Sequence, residues 1–251
     1  MDPKTHILSE LGFELARDGE EMHGRAEVVP EMFAPGTSSI RTSILASWTD
    51  VTCGMLAVDV IGPRVPVTLE LDVHLYEPAH AHERITAVGR LLKAGRSIVV
   101  LTVEFSGEDG APLAVGTGSF MAAPNPALTI RTTDDLLDAR VHTGARLRVP
   151  LAERAGCRRL GPGVAEQPKT EEGINSSHTL NGGLIALAIE EAALSLTPGV
   201  TLSSLAMRYL QPVRVGPAVA TAQVRSGLGR VEVRDAGNDD RLCVAATTRT
   251  F

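Results

Sequence analysis

Within 251 residues the same order of elements runs twice, and that repetition limits the fold more than any single motif does. In the first half, SSIRTSILASWTDVTCGML (38–56) sets Ile40, Ile44, Trp48, Val51 and Met55 at helical spacing. Alternating apolar residues follow from Val67 to Leu75, a strand pattern that stops at Pro78. Three more strands follow, with turns at Lys93-Ala94-Gly95-Arg96 and Gly107-Glu108-Asp109-Gly110. In the second half, NGGLIALAIEEAALSL (181–196) reads as a helix stopped by Pro198-Gly199. A strand ending at Pro212 comes next, then strands over 218–225, 229–235 and 242–250. Each half therefore reads as two strands, a long helix, then three or four strands.

One apolar helix followed by antiparallel strands implies a helix held against a curved sheet, an α+β arrangement occurring twice. The prolines of Pro124-Asn125-Pro126 end the first unit, and Thr133-Asp134-Asp135 is suited to cap a short linking helix. The expected division is a first unit over 1–124, a linker over 125–145 with the boundary near residue 140, and a second unit over 146–251. The 181–196 helix is apolar nearly all round, the mark of a buried helix, and its only charges are Glu190 and Glu191. In the other helix the only charges are Arg41 and Asp50. A carboxylate on a buried helix is costly and needs a reason.

Composition narrows the partners. A net charge of −6 with no basic cluster argues against nucleic acid, which needs Lys and Arg gathered on one face. No basic segment followed by an apolar one opens the chain, so no signal peptide is expected. No stretch reads as the run of about 18 apolar residues that spans a membrane. Cys53, Cys157 and Cys243 are odd in number and lack CxxC spacing, which points to reduced thiols and a cytoplasmic location.

The segment GINSSHTLNGGLIALAIEEAALSLTPGV (173–200) resembles the hotdog-fold thioesterases of the PaaI and 4-hydroxybenzoyl-CoA type. Their hallmark is a loop Asn, then His-Gly-Gly opening the central helix, then an acidic residue two turns on. Asn175, Asn181-Gly182-Gly183 and Glu190 fall at those spacings, with Asn181 where His is commoner. The first half resembles the same family through WTDVTCG, with Asp50 at the acidic position, and through VTLELDVHLYEP, where Thr68 takes the place of a Ser or Thr near the acid. The resemblance implies a double hotdog, each half a long central helix wrapped by a curved antiparallel sheet. It also implies an acyl-CoA thioesterase whose site lies between two units.

On that resemblance one site combines Asn175, Asn181, Gly182 and Gly183 of the second half with Asp50 and Thr68 of the first. Gly182 and Asn175 would act with Asp50 in catalysis, and Thr68, Asn181 and Gly183 would bind substrate. A second site would pair Glu190 with Thr42, eight residues before Asp50, and counting back fifteen lands on Pro35. That site lacks the glycine and the Asn and is expected to be degenerate. Amides at a helix start can stabilise a thioester oxyanion, and a carboxylate can activate water or attack the carbonyl. No metal or organic cofactor is required, since CoA belongs to the substrate. A homodimer of double hotdogs would be the simplest larger assembly.

Blander readings stand beside these. Asp50 reads equally as a solvated residue opposite Ile40, Ile44 and Val51. Glu190 reads as an ion-paired structural residue, Gly182-Gly183 as a helix-packing notch, Asn175 as a turn residue and Thr68 as a β-former. His74, His80 and His82 read as solvated rather than as a metal cluster. His178 reads as surface or substrate contact, Cys53 as a packed thiol, and Gly116-Thr117-Gly118 as a strand rather than a dinucleotide loop. Arg96 and Arg230 are candidates to meet CoA phosphates. A non-catalytic acyl-CoA or lipid-binding protein is the alternative function. An enoyl-CoA hydratase is disfavoured because no His stands in register after Asn125-Pro126.

Overall fold

The computed structural model describes residues 6–80, 84–138, 144 and 146–251. The first half runs β1 (Glu14–Asp18), β2 (Glu21–Glu27), α1 (Thr42–Ile61), β3 (Pro66–Leu75), β4 (Arg84–Ala94), β5 (Val99–Gly107) and β6 (Pro112–Ala122). Two short helices follow, α2 (Thr133–Asp138) and α3 (Leu151–Ala155). The second half runs β7 (Arg158–Gly161), β8 (Val164–Gln167), α4 (Gly182–Leu194), β9 (Leu202–Tyr209), β10 (Ala218–Arg225), β11 (Leu228–Asp235) and β12 (Arg241–Thr250). The expected boundary near residue 140 lies outside the described residues.

Among the described residues the twelve strands form one antiparallel sheet, ordered β1-β2-β4-β5-β6-β3-β9-β12-β11-β10-β8-β7. The order is a palindrome: β3 pairs with β9 at the centre, and each half repeats outward from there. In this ladder Glu70 stands opposite Arg208, Leu71 opposite Met207 and Asp72 opposite Ala206. Arg208 ties the joint by ion pairs to Glu70 at 3.0 Å and Asp72 at 2.6 Å. The repeat reaches into the irregularities. β3 is bulged between Thr68 and Glu70 against β6, and β9 is bulged between Leu202 and Ser204 against β12. Thr68 and Leu202 are therefore two-fold counterparts.

α1 and α4 lie on the inner face and pack on each other. The core is aliphatic, as 3% aromatic content dictates, apart from a few rings such as Phe13, which stacks on Trp48 of α1 with centroids 4.9 Å apart. Glycines in the first sheet are notches for α1: a Cβ at Gly89 would run into Thr52, at Gly116 into Thr49, and at Gly118 into Cys53 and Phe120. Close helix–sheet approach explains the glycines of 116–118.

α1 is shifted from its expected span. Arg41 is extended (φ −64°, ψ 134°) and the helix opens at Thr42, because Ile40 instead bridges to Phe33. The helix runs on to Ile61, past the expected stop. It is then 20 residues, long and apolar enough by length and composition to cross a membrane, which corrects the expectation that no stretch qualifies. The residues are apolar because they are packed between the sheet and α4. Cys53, Cys157 and Cys243 are buried and unpaired.

One buried carboxylate sets the wall behind α4. Asp235 accepts the amides of Arg214 (2.7 Å), Val215 (3.2 Å) and Gly216 (2.6 Å). The neighbouring Val213 carbonyl accepts the Leu180 amide at 3.1 Å, just before α4 begins. Burial alone would raise the Asp235 pKa, but the three amides and Asn238 more than offset it and hold it below the usual carboxylate range. Its stabilisation is present above that range and is lost as pH falls through the depressed folded value. Asp235→Ala is expected to cost about 3 kcal/mol in urea unfolding at neutral pH. The difference from wild type should shrink on acidification.

Candidate active site

The two helices face each other through a shared geometry. Glu190 is the ninth residue of α4 and Asp50 the ninth of α1. The two-fold relation brings each carboxylate towards the start of the opposite helix. For Glu190 the approach is complete. Its Oε1 accepts the amides of Thr42 (2.8 Å) and Ser43 (3.4 Å), and its Oε2 accepts the Ser43 hydroxyl at 2.6 Å and Arg41 Nη1 at 3.3 Å. Arg41 Nη2 also meets Glu191 at 2.7 Å, and Arg159 meets Glu191 at 2.6 Å. Glu190, Thr42 and Ser43 are wholly buried, and Arg41 is 1% exposed. Burial alone would lower the Arg41 pKa, and the two carboxylates more than reverse it. Glu190 thus acts as the side-chain cap of α1, filling the space between the helices.

At the other end the carboxylate is shorter by one methylene and the geometry differs. Asp50 is half-buried, whereas Glu190 is wholly buried. Its Oδ1 accepts the Thr68 hydroxyl at 2.9 Å. Burial pushes its pKa up to about 6, with the Thr68 bond pulling the other way. Gly182 opens α4, and its amide, one of the donors a helix start leaves over, has no acceptor among the described residues. Leu202, the counterpart of Thr68, carries no hydroxyl.

The remaining residues shape the helix start. Asn181 is the N-cap of α4, its Oδ1 accepting the Gly183 amide at 2.8 Å. A Cβ on Gly183 would collide with Ser47 of α1 and Leu8, so this glycine sits in a packing notch with its amide already used. Asn175 Oδ1 accepts the Ser177 amide (3.0 Å), the Thr179 amide (3.2 Å) and the Thr179 hydroxyl (3.1 Å). Its Nδ2 is the group left to meet a ligand. In the other half Ala34, not Pro35, occupies the place of Asn175. The loop between the bridges Phe33–Ile40 and Ile174–Leu180 is one residue longer before α1, so counting back from the helix slips by one.

One neighbour of Gly182 was not foreseen. The hydroxyl of Tyr209, the last residue of β9, lies 3.4 Å from the Gly182 carbonyl oxygen, and a Cβ on Gly182 would stand 2.9 Å from it. The space above Gly182 is thus occupied by Tyr209. The available signal was an amphipathic residue just before the Pro212 that ends the strand. Other candidates lie elsewhere. His178 is exposed with φ 57°, His80 bonds Ser39 at 2.9 Å, and His82 is outside the described residues. Arg230 pairs with Glu232 at 3.0 Å and Arg96 is exposed. Burial and the nearby Asp50 charge raise the Cys53 thiol. Among the described residues no cluster of His, Cys, Asp and Glu has metal-binding geometry.

The model of the thioesterase superfamily matches residues 43–114, the stretch that holds Asp50 and Thr68. A candidate esterase of Saccharolobus solfataricus is 32% identical over 100 residues, which cover 39% of this chain and 71% of that protein. The chain belongs to the thioesterase superfamily. It is a thioester hydrolase with the double-hotdog fold. Among solved structures, the 12:0-ACP thioesterase of Umbellularia californica aligns over 94% of this chain and 99% of its own, at 11% identity and a TM-score of 0.68. The TesB protein of Mycobacterium avium subsp. paratuberculosis aligns over 98% and 97%, at 13% identity and 0.62. A thioesterase II of Thermobifida fusca aligns over 100% and 99%, at 16% identity and 0.58. At these identities the likeness is one of fold.

Removing Glu190 from this thioesterase leaves Arg41 with Glu191 as its one carboxylate and the buried donors of Thr42 and Ser43 without their acceptor. Glu190→Ala is expected to lose about 3–5 kcal/mol of stability, measured by chemical denaturation. The fraction that remains folded should hydrolyse thioesters at the wild-type rate.

Proposed function

We propose that the chain hydrolyses acyl-CoA at one site per chain, between the halves, with Asp50 as the catalytic carboxylate. The observation that carries this reading is the contrast between the two buried-helix acids. Glu190 is consumed by the start of α1, whereas Asp50 stays half-open, bonded to Thr68, with its pKa near 6. A base with a pKa near 6 is ionised at neutral pH and still basic enough to take a proton.

In the reaction, a water oxygen bonds to the thioester carbon as Asp50 takes the water's proton. Alternatively, Asp50 itself bonds to that carbon and water later cleaves the anhydride. Either way the carbonyl oxygen gains negative charge beside the Gly182 amide at the helix start, where the dipole favours it. The C–S bond then breaks, and the CoA thiolate leaves and takes up a proton. Thr68 orients Asp50. In this reading Asn175 and Asn181, whose Oδ1 atoms are held by the chain, offer their Nδ2 groups to the substrate. Gly183 serves packing, and Glu190 with Thr42 is a spent counterpart. The reading needs no metal or organic cofactor. Unpaired buried thiols support a cytoplasmic location.

Thiol release is the test, using short, medium, long and aryl acyl-CoAs and an acyl-carrier protein. Asp50→Asn should lower kcat by at least about 100-fold. Because the folded Asp50 pKa lies above its unfolded value near 4, its ionisation opposes folding as pH rises from about 4 to 6. Asp50→Asn should therefore be at least as heat-stable as wild type at pH 8. Wild-type kcat should fall below about pH 6 as Asp50 takes up its proton. An Asp50→Asn enzyme with near-normal turnover, or a wild type that binds acyl-CoA without releasing thiol, would sink the reading.

A further inference from the structure

We propose that Tyr209 is a catalytic residue, its hydroxyl acting with the Gly182 amide as the second donor to the thioester carbonyl oxygen. The inference rests on the Asp50 site described above and adds a residue to it. The Tyr209 hydroxyl stands beside the first residue of α4. Among the described residues its partners are the Gly182 carbonyl at 3.4 Å and the Met207 sulfur at 3.7 Å. Both are long for a hydroxyl donor, whose bonds to oxygen centre near 2.7–2.8 Å, so the proton remains available to a better acceptor. A tyrosine hydroxyl in a largely enclosed place normally takes a good partner, and this one stands at the helix start where the oxyanion of the proposed reaction would form.

The two-fold relation supplies an internal control. β3 and β9 share the same bulge, which sets Thr68 against Leu202 and hence Leu75 against Tyr209. Leu75 is buried and has no hydroxyl, and it belongs to the half whose helix start is already filled by Glu190. The hydroxyl therefore occurs only where the carboxylate is short and the helix start is open. Gly182 answers to the same arrangement, because a Cβ there would stand 2.9 Å from the Tyr209 hydroxyl and crowd it from its place beside the helix start. Burial and the adjacent Asp50 charge both raise the Tyr209 pKa, so the group keeps its proton throughout the working range and donates without ionising. In the step itself the C=O π bond opens onto oxygen, the O–H and N–H bonds to that oxygen shorten, and neither donor loses its proton.

The test is Tyr209→Phe, which keeps the ring and its packing on Gly182 and removes one oxygen. The expected result is a fall in kcat of about 100-fold, the size typical of one lost oxyanion donor. KM should stay within about twofold, and the melting temperature and the acid limb near pH 6 should not move. A purely packing role predicts wild-type turnover from Tyr209→Phe, and that result would overturn the proposal. A parallel change in KM, or a shift of the acid limb, would also overturn it, by placing the hydroxyl in substrate binding or in tuning Asp50. Asp50→Asn is assayed alongside. If Asp50→Asn is inactive and Tyr209→Phe is normal, only the Tyr209 inference falls. If Asp50→Asn is active while Tyr209→Phe loses kcat, the carboxylate reading falls and the donor role stands. A wild type inert on every thioester removes both.

Discussion

The β3–β9 ladder is the constraint from which the rest of the structure follows. Joining two units along their inner strands makes one continuous sheet, and the antiparallel register fixes a two-fold axis between the halves. Once that axis exists, α1 and α4 lie against each other with the middle of each beside the start of the other. Glu190 meeting the Thr42 amide, 148 positions away in the chain, is the direct result. A one-residue slip of the ladder would turn every inner side chain of β3 and β9 outward, so the register that builds the core also aligns the acids with the helix starts.

On that shared frame, one methylene and three residues separate a plugged end from an open one. Glutamate is long enough to reach the opposite helix, and Arg41, Thr42 and Ser43 give it four donors. Aspartate is too short to close the same distance and turns to Thr68 instead. The opposite helix start presents Asn181, Gly182 and Gly183, small or already capped, with Tyr209 as the wall. The buried ion pair at the plugged end is costly to desolvate, and the four donors to Glu190 offset that cost. The open end keeps a strained proton equilibrium, and a carboxylate near pH 6 is what acid–base chemistry at neutral pH requires.

The strands were legible because alternation and turn chemistry are local. β3, β10, β11 and β12 match the expected runs to within a residue or two, with turns where Gly and Pro predict them. Helix ends were less legible. Ile40 has helical spacing, yet it pairs with Phe33, and residues 57–61 are rich in β-branched Val and Ile that weaken a helical signal, yet α1 continues through them. The acids and the glycine were singled out through a resemblance to a family's spacing from the helix start, and the structure places Asp50 and Glu190 each as the ninth residue of its helix. What spacing could not carry was everything set by the axis: that Arg41 serves Glu190, that Ser47 fills the notch at Gly183, and that Tyr209 stands over Gly182. Pro35 shows the same limit, since a single inserted loop residue moved the true counterpart to Ala34.

Fusion explains why the two ends are free to differ. In a dimer of identical single units, the axis makes both sites the same, and a substitution that fills one also fills the other. In one chain, Arg41 can bury itself against Glu190 and Glu191 while Asn181, at the equivalent place, caps its own helix and leaves the Gly182 amide without an acceptor among the described residues. The plugged end then contributes cohesion between the halves, and the open end is released from that duty. A carboxylate partly stripped of water, a long-bonded hydroxyl and an uncapped amide all weaken the fold locally. They can persist here because the opposite end, where Glu190 takes the amides of Thr42 and Ser43, holds the two halves together.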